Sequence, residues 1–194
     1  NRLLTFVLGL LAIAAIVGAL AWARRLRQRG APPRRPITLL AAVPLLGTLA
    51  QAILGGITVL TGLNPATVAA HFLVSMLIIA FTLTLVWRAG EPGDEPKTPL
   101  GEPAVRLLSK ALVAVGFVVL VMGTMVTGAG PHSGDAETPA RLGIDPAQMS
   151  WLHADVVLLF IGLTVGLLVA LTVTKAPAKA IRATWILFGI AMAQ

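Results

Sequence analysis

Two histidines in this chain stand at matching places, each a short way into an apolar helix that opens on an Asx-Pro-Ala start. His71 ends the run Asn64-Pro65-Ala66-Thr67-Val68-Ala69-Ala70-His71, and His153 ends Asp145-Pro146-Ala147-Gln148-Met149-Ser150-Trp151-Leu152-His153. A neutral imidazole just inside a membrane helix is a ready ligand for haem iron. The competing reading is a histidine hydrogen-bonded to a neighbouring helix, since a polar group left unpaired in lipid is costly. Two histidines in equivalent positions, in a chain with no other intramembrane base, favour ligation and suggest a duplicated site.

The elements that position them are membrane helices. Of 194 residues, 57% are hydrophobic and 12% charged, and the mean hydropathy is +0.88; a soluble domain carries about twice that share of charge. The chain therefore reads as all-α, a polytopic membrane helical bundle. Cysteine is absent, which excludes disulfides, thiolate-bound metals and iron–sulfur clusters within the chain. The net charge of +7 would suit nucleic acid, but six of the fifteen cations crowd one short loop beside a span. Membrane lipid, not nucleic acid, is the partner that fits.

Six apolar segments follow one another: Leu3–Ala23 stopping at Arg24-Arg25-Leu26-Arg27, Ile37–Leu60 with a kink expected at Pro44, Ala66–Trp87, Val105–Val126, Trp151–Val173, and a last one from Ile181 to Gln194 that is too short to span. Chain begins at Asn1 and ends inside an apolar run, so both ends look cut. Thirteen of the fifteen Lys and Arg fall on one side of this topology, leaving only Arg2 and Arg141 on the other. The positive-inside rule makes the crowded side cytoplasmic and places His71 and His153 towards the outer face of a cell membrane.

A repeat surrounds the histidines. Thr58-Val59-Leu60-Thr61-Gly62 and Thr124-Met125-Val126-Thr127-Gly128 each precede an outer loop, an Asx-Pro-Ala start and a histidine. Small residues allow close helix packing, threonine can bond its own i−4 carbonyl and glycine can end the helix; the same small residues would leave room for a flat macrocycle. A weaker echo, Leu49-Ala50-Gln51 against Met192-Ala193-Gln194, suggests a further histidine helix beyond Gln194. His132 lies in an outer turn and reads as a solvated loop residue or a cofactor contact. Asp155, the only acid inside a span, is either a proton-handling group or an acid favoured by the helix dipole. Arg2 and Arg141 are the natural partners for haem propionates, or surface anchors. Trp22, Trp87 and Trp151 fall at segment ends and read as interfacial anchors.

The run from Gln51-Ala52-Ile53-Leu54-Gly55-Gly56-Ile57 through Thr58-Val59-Leu60-Thr61-Gly62-Leu63-Asn64-Pro65, followed by His71-Phe72, resembles haem A synthase. So does Gly123-Thr124-Met125-Val126-Thr127-Gly128-Ala129-Gly130-Pro131-His132-Ser133-Gly134-Asp135, followed by His153, whose Gly-Pro-His-Ser-Gly-Asp loop is similar to that of actinobacterial-type members. The resemblance implies eight helices in two pseudo-duplicated halves, about six of them visible here, with two histidines per half. Residues 1–88 would then be helices of the substrate half, 89–104 a cytoplasmic linker and 105–194 an incomplete haem b half. It implies an oxidoreductase that converts a methyl group of haem O to the formyl group of haem A for a terminal oxidase. His71 would serve the substrate haem, as metal ligand and candidate catalytic residue. His153 would ligate haem b, with Arg141 and His132 as further cofactor contacts. Haem O synthase and oxidase assembly factors are the protein partners it suggests.

Two departures bear on activity. The first-half histidine of the family, with a glutamate closely before it, falls at or just before Asn1, and the outer-loop cysteines of many members are missing. A chain of this extent alone is expected to be inactive. A membrane haem b electron-transfer subunit and a non-catalytic helical scaffold or transporter are the alternatives.

Overall fold

Lipid offers the backbone no hydrogen-bond partner, so each apolar stretch must satisfy its N–H and C=O groups within itself, and each folds as a helix. The computed structural model describes residues 2–32, 34–94, 101–130 and 140–194. Six helices run in order: α1 Arg2–Gln28, α2 Arg35–Leu60, α3 Pro65–Ala89, α4 Pro103–Ala129, α5 Pro146–Val173 and α6 Ala178–Ala193. The first five are long and apolar enough to cross a membrane, and there is no strand among the described residues. This is a multi-pass membrane protein. Large apolar side chains such as Leu3, Phe6 and Leu10 on α1 or Leu158 and Val169 on α5 stand exposed, as a hydrocarbon surrounding allows. The described part of α6 has 16 residues, about 24 Å of helix.

The chain forms two compact units, Asn1–Pro96 and Lys97–Gln194. In the first, α2 packs against both α1 and α3; in the second, α5 packs against both α4 and α6. Proline occupies the first turn of α2, α3, α4 and α5, where its missing N–H costs nothing and its fixed φ suits the helix. The two histidine helices begin alike. The side chain of Asn64 accepts from the N–H of Ala66 at 2.9 Å, and that of Asp145 from the N–H of Ala147 at 3.0 Å, so both Asx residues cap as their type predicts.

Two local features depart from the sequence reading. The arginine cluster does not stop α1, which winds on through Arg24, Arg25 and Arg27 to Gln28; charge ends a membrane span, not a helix. Pro44, where a kink is expected, lies inside α2. Gly62 ends its helix in a left-handed turn (φ 62°), followed by Leu63 at φ 57°, but Gly128 does not: α4 continues to Ala129. Gly128 is buried there, and its carbonyl accepts the N–H of Leu142 at 3.1 Å, so the loop chain folded over it supplies the partner that a turn would have supplied.

The first unit is closed at its arginine-rich end by Arg34, which is 7% exposed. Its Nε and Nη2 both donate to Asp94 Oδ1, at 2.9 and 2.7 Å. The remaining donors reach the carbonyls of Glu91, Arg88 and Gly93 at 2.5, 3.0 and 3.1 Å. Arg88 bonds the same Asp94 oxygen at 2.8 Å and Glu91 at 2.7 Å. The guanidinium also sits 5.5 Å from the Trp22 ring, so Trp22 supports a buried cation and is not simply an interfacial anchor. The second unit is tied instead by apolar contact: Val105 and Leu112 of α4 pack with Leu167 and Leu171 of α5, joined by Ile181 and Leu187 of α6. These two cores hold the ends of the helix pairs away from the histidines. Removing Arg34 strands a half-buried carboxylate and several carbonyls; Arg34→Ala should cost about 2–3 kcal/mol in unfolding measured in detergent, whereas Arg35→Ala, at an exposed position, should change it by less than about 0.5 kcal/mol.

Candidate functional site

A helix lacking side-chain bulk at one residue lets a ring on its neighbour lie against the backbone, and both histidines use this. The Cε1 of His71 lies 3.5 Å from where a Cβ on Gly55 would stand, and the Cε1 of His153 lies 3.5 Å from the same point on Gly123. Each contact belongs to a ladder between antiparallel helices. Seven residues beyond each histidine a second side chain meets a second glycine: Ile78 against Gly47, 2.7 Å from its would-be Cβ, and Phe160 against Gly116, at 3.1 Å. The two histidine-bearing helix pairs are therefore built on one plan, α2 with α3 and α4 with α5.

The imidazoles share a further property. The Nδ1 of His71 and the Nδ1 of His153 are both buried without a hydrogen-bond partner. In neither ring does Nε2 bond another group among the described residues. Orphaned buried ring nitrogens are uncommon, because each forfeits on the order of 1–3 kcal/mol of hydration. The Thr-Gly runs begin just after these glycines, at Thr58 and Thr124. Thr58 Oγ1 donates to Leu54 O at 2.7 Å, Thr61 Oγ1 to Ile57 O at 2.8 Å, and Thr127 Oγ1 to the carbonyl of Gly123 itself at 3.0 Å. Back-bonded in this way, the threonines present methyl groups instead of hydroxyls to their surroundings.

The units differ on the rung between the two glycines. In the first unit it is polar: Gln51 Nε2 donates to the backbone carbonyl of His71 at 2.9 Å and to Ser75 Oγ at 2.7 Å, while Ser75 Oγ donates to the same carbonyl at 2.9 Å. The second unit has Val157 four residues past its histidine and Val119 and Leu120 between its glycines. In the sequence Gln51 stands out as an echo of Gln194 and as the first residue of the run that resembles haem A synthase; the signal for its role was the coincidence of Gln51 and Ser75 on facing helices, visible only once the hairpin is aligned.

The other candidates stand apart. Arg141 is exposed and donates through Nη1 to the carbonyl of Gly130, two turns along α4 from the glycine that faces His153. Asp155 is exposed on α5, off the histidine face, and bonds no group among the described residues. His132 and Asn1 lie outside the described residues, as does the side chain of Arg2.

A scan against family models matches residues 1–194 to COX15-CtaA, described as cytochrome oxidase assembly protein. The chain belongs to that family. No curated protein and no solved structure matches the chain. Membership in COX15-CtaA, the haem A synthase family, agrees with the resemblance carried by the two Thr-Gly segments and ties this protein to assembly of cytochrome oxidase.

The residues of this COX15-CtaA member suit an iron that brings most of its own ligands. No three His, Cys, Asp or Glu side chains cluster among the described residues, so a bare ion would lack a coordination shell. A porphyrin supplies four nitrogens and asks the protein for one or two axial donors. An imidazole resting against a glycine, its Nδ1 buried and unpartnered, fits that demand in each unit. The ladder also sets a packing limit: Gly47→Ala, with Ile78 already 2.7 Å from the new methyl, should lower stability in detergent by about 1–3 kcal/mol, while Gly56→Ala, with nothing within 4 Å, should be neutral or stabilising.

Proposed function

We propose that this protein is the haem A synthase of its membrane, oxidising a methyl group of haem O to the formyl group of haem A for a terminal oxidase. The observation that supports this reading is the pair of imidazoles with buried, unpartnered Nδ1 atoms, each laid on a glycine by the same helix-pair plan, in a chain whose family serves cytochrome oxidase assembly. Two porphyrin positions are what a haem-modifying enzyme with a haem cofactor requires. We assign the substrate haem O to His71 and the cofactor haem b to His153.

Haem b, when bound, supplies a one-electron iron centre within reach of the membrane's redox chain. The work of this chain's own residues is placement. His153 would hold that group through its imidazole, on a helix held by the apolar core of α4, α5 and α6. Gly123 keeps the space beside its ring free of side chain. Arg141, with one nitrogen on the Gly130 carbonyl, retains donors for a propionate. His71 offers the matching donor in the first unit, where the polar rung of Gln51 and Ser75 pins its backbone. The apolar helix faces exclude water from both places, which strengthens any charge contact made there. The count of thirteen cations against two supports an orientation with both histidines towards the outer leaflet of the cell membrane. Haem O synthase and oxidase assembly factors are the partners that would deliver the substrate and receive the product.

Substitution in the full-length protein separates the two roles. His153→Ala should remove the Soret band of bound haem b. His71→Ala should keep that band and abolish conversion of haem O, followed by extraction and chromatography of the haems. Conversion at the wild-type rate in His71→Ala would refute the substrate assignment, and a purified protein with no Soret band would refute the haem reading altogether.

A further inference from the structure

Two orphaned polar atoms lie on adjacent rungs of the α2–α3 ladder: Gln51 Oε1 and His71 Nδ1, both buried and without a partner. One is an acceptor only; the other is a donor whenever the imidazole gives Nε2 to a metal. The amide orientation of Gln51 is dictated by its neighbours. A backbone carbonyl can only accept, so the atom 2.9 Å from His71 O must be the NH₂ group, and Ser75 Oγ, which spends its own proton on that carbonyl, takes the second amide hydrogen. Both hydrogens of Nε2 are thereby used, the side chain is locked, and Oε1 is left as a fixed acceptor within about one helical turn of the His71 ring.

We propose that Gln51 is a positioning residue for His71: when the ring takes its ligating orientation, Nδ1–H donates to Gln51 Oε1, directly or through one bound water, leaving Nε2 as the axial donor. This rests on the assignment of a haem to His71 above. A metal-bound histidine ordinarily passes its other N–H to an oxygen acceptor, which fixes the tautomer, holds the ring plane and raises the basicity of the ligating nitrogen. Gln51, on the facing helix, offers such an unpartnered acceptor, and it already holds the His71 backbone. The second unit carries Val119, Leu120 and Val157 at the corresponding places, so His153 has no equivalent acceptor there. The two imidazoles therefore differ as ligands: His71 is the stronger electron donor to its iron, and a haem bound through it is harder to reduce than it would be without Gln51.

The test is a redox titration of haem O bound to full-length protein carrying His153→Ala, so that the haem observed is the one at His71. Adding Gln51→Leu should raise the midpoint potential and weaken haem retention by roughly tenfold. Adding Gln51→Glu, which keeps an acceptor of the same shape and strengthens it if ionised, should leave the potential unchanged or lower it, and should retain haem. A potential that is the same in Gln51→Leu as in the parent, or that moves equally in Gln51→Leu and Gln51→Glu, would overturn the positioning role and show a packing role alone. Haem that fails to bind with His71 and Gln51 both intact would overturn the assignment of a haem to His71, and this inference with it.

Discussion

A ring nitrogen taken out of water with no hydrogen bond in return costs on the order of 1–3 kcal/mol, and lipid offers no later compensation. This protein bears that cost at His71 and again at His153. Much of the surrounding construction follows from it. Glycine faces each ring: a Cβ there would meet Cε1 at 3.5 Å, in van der Waals contact, so any longer side chain would press on the ring. The threonines must turn their hydroxyls back onto their own helices. Asx caps must start α3 and α5 at fixed points, since the position of a histidine six or seven residues on is set by where its helix begins. A structural histidine would have been given a partner. Two that lack one at Nδ1, with Nε2 unbonded as well, have the disposition of ligands.

The units share a plan and diverge in how they hold it. The first is fastened by polar contacts, with the buried Arg34 network at one end and the Gln51–Ser75–His71 carbonyl rung nearer the other. The second is fastened by leucine, valine and phenylalanine around a fully buried Thr164 whose hydroxyl bonds Phe160 O at 2.8 Å. Polar networks specify one geometry because every member must be satisfied, whereas an apolar interface tolerates small adjustments. A unit that handles a substrate gains from a fixed ring. A unit that keeps a resident cofactor can obtain its order from the cofactor itself.

Most of the architecture was legible in the residues. Hydropathy marks the six helices, proline and Asx mark their starts, and the position of His71 and His153 within those helices follows. The Thr-x-x-Thr-Gly runs announced back-bonded threonines. What could not be read was the contact across each hairpin. Aligned on its threonines, the repeat does not pair Gly55 with Gly123: Gly55 lies three residues before its first threonine and Gly123 one. Which glycine meets the ring depends on the loop that follows, a tight turn in one unit and a long connection in the other. Arg34 was hidden for a similar reason. Among six arginines in one loop nothing in the local sequence separates the one that reaches Asp94 and Trp22 from those that face outward. Charge patterning sees the cluster, and only the folded α1–α2–α3 unit selects its member.

The claim on which the rest depends is that the two orphaned imidazoles are iron ligands. A structure of the full-length protein purified with its haem would test it most directly. The expected result is an iron bonded to Nε2 of His153, with the ring still resting on Gly123 and the porphyrin edge beside the Thr-Gly run. Haem bound by other residues, with His153 lying on Gly123 unbonded, would contradict it.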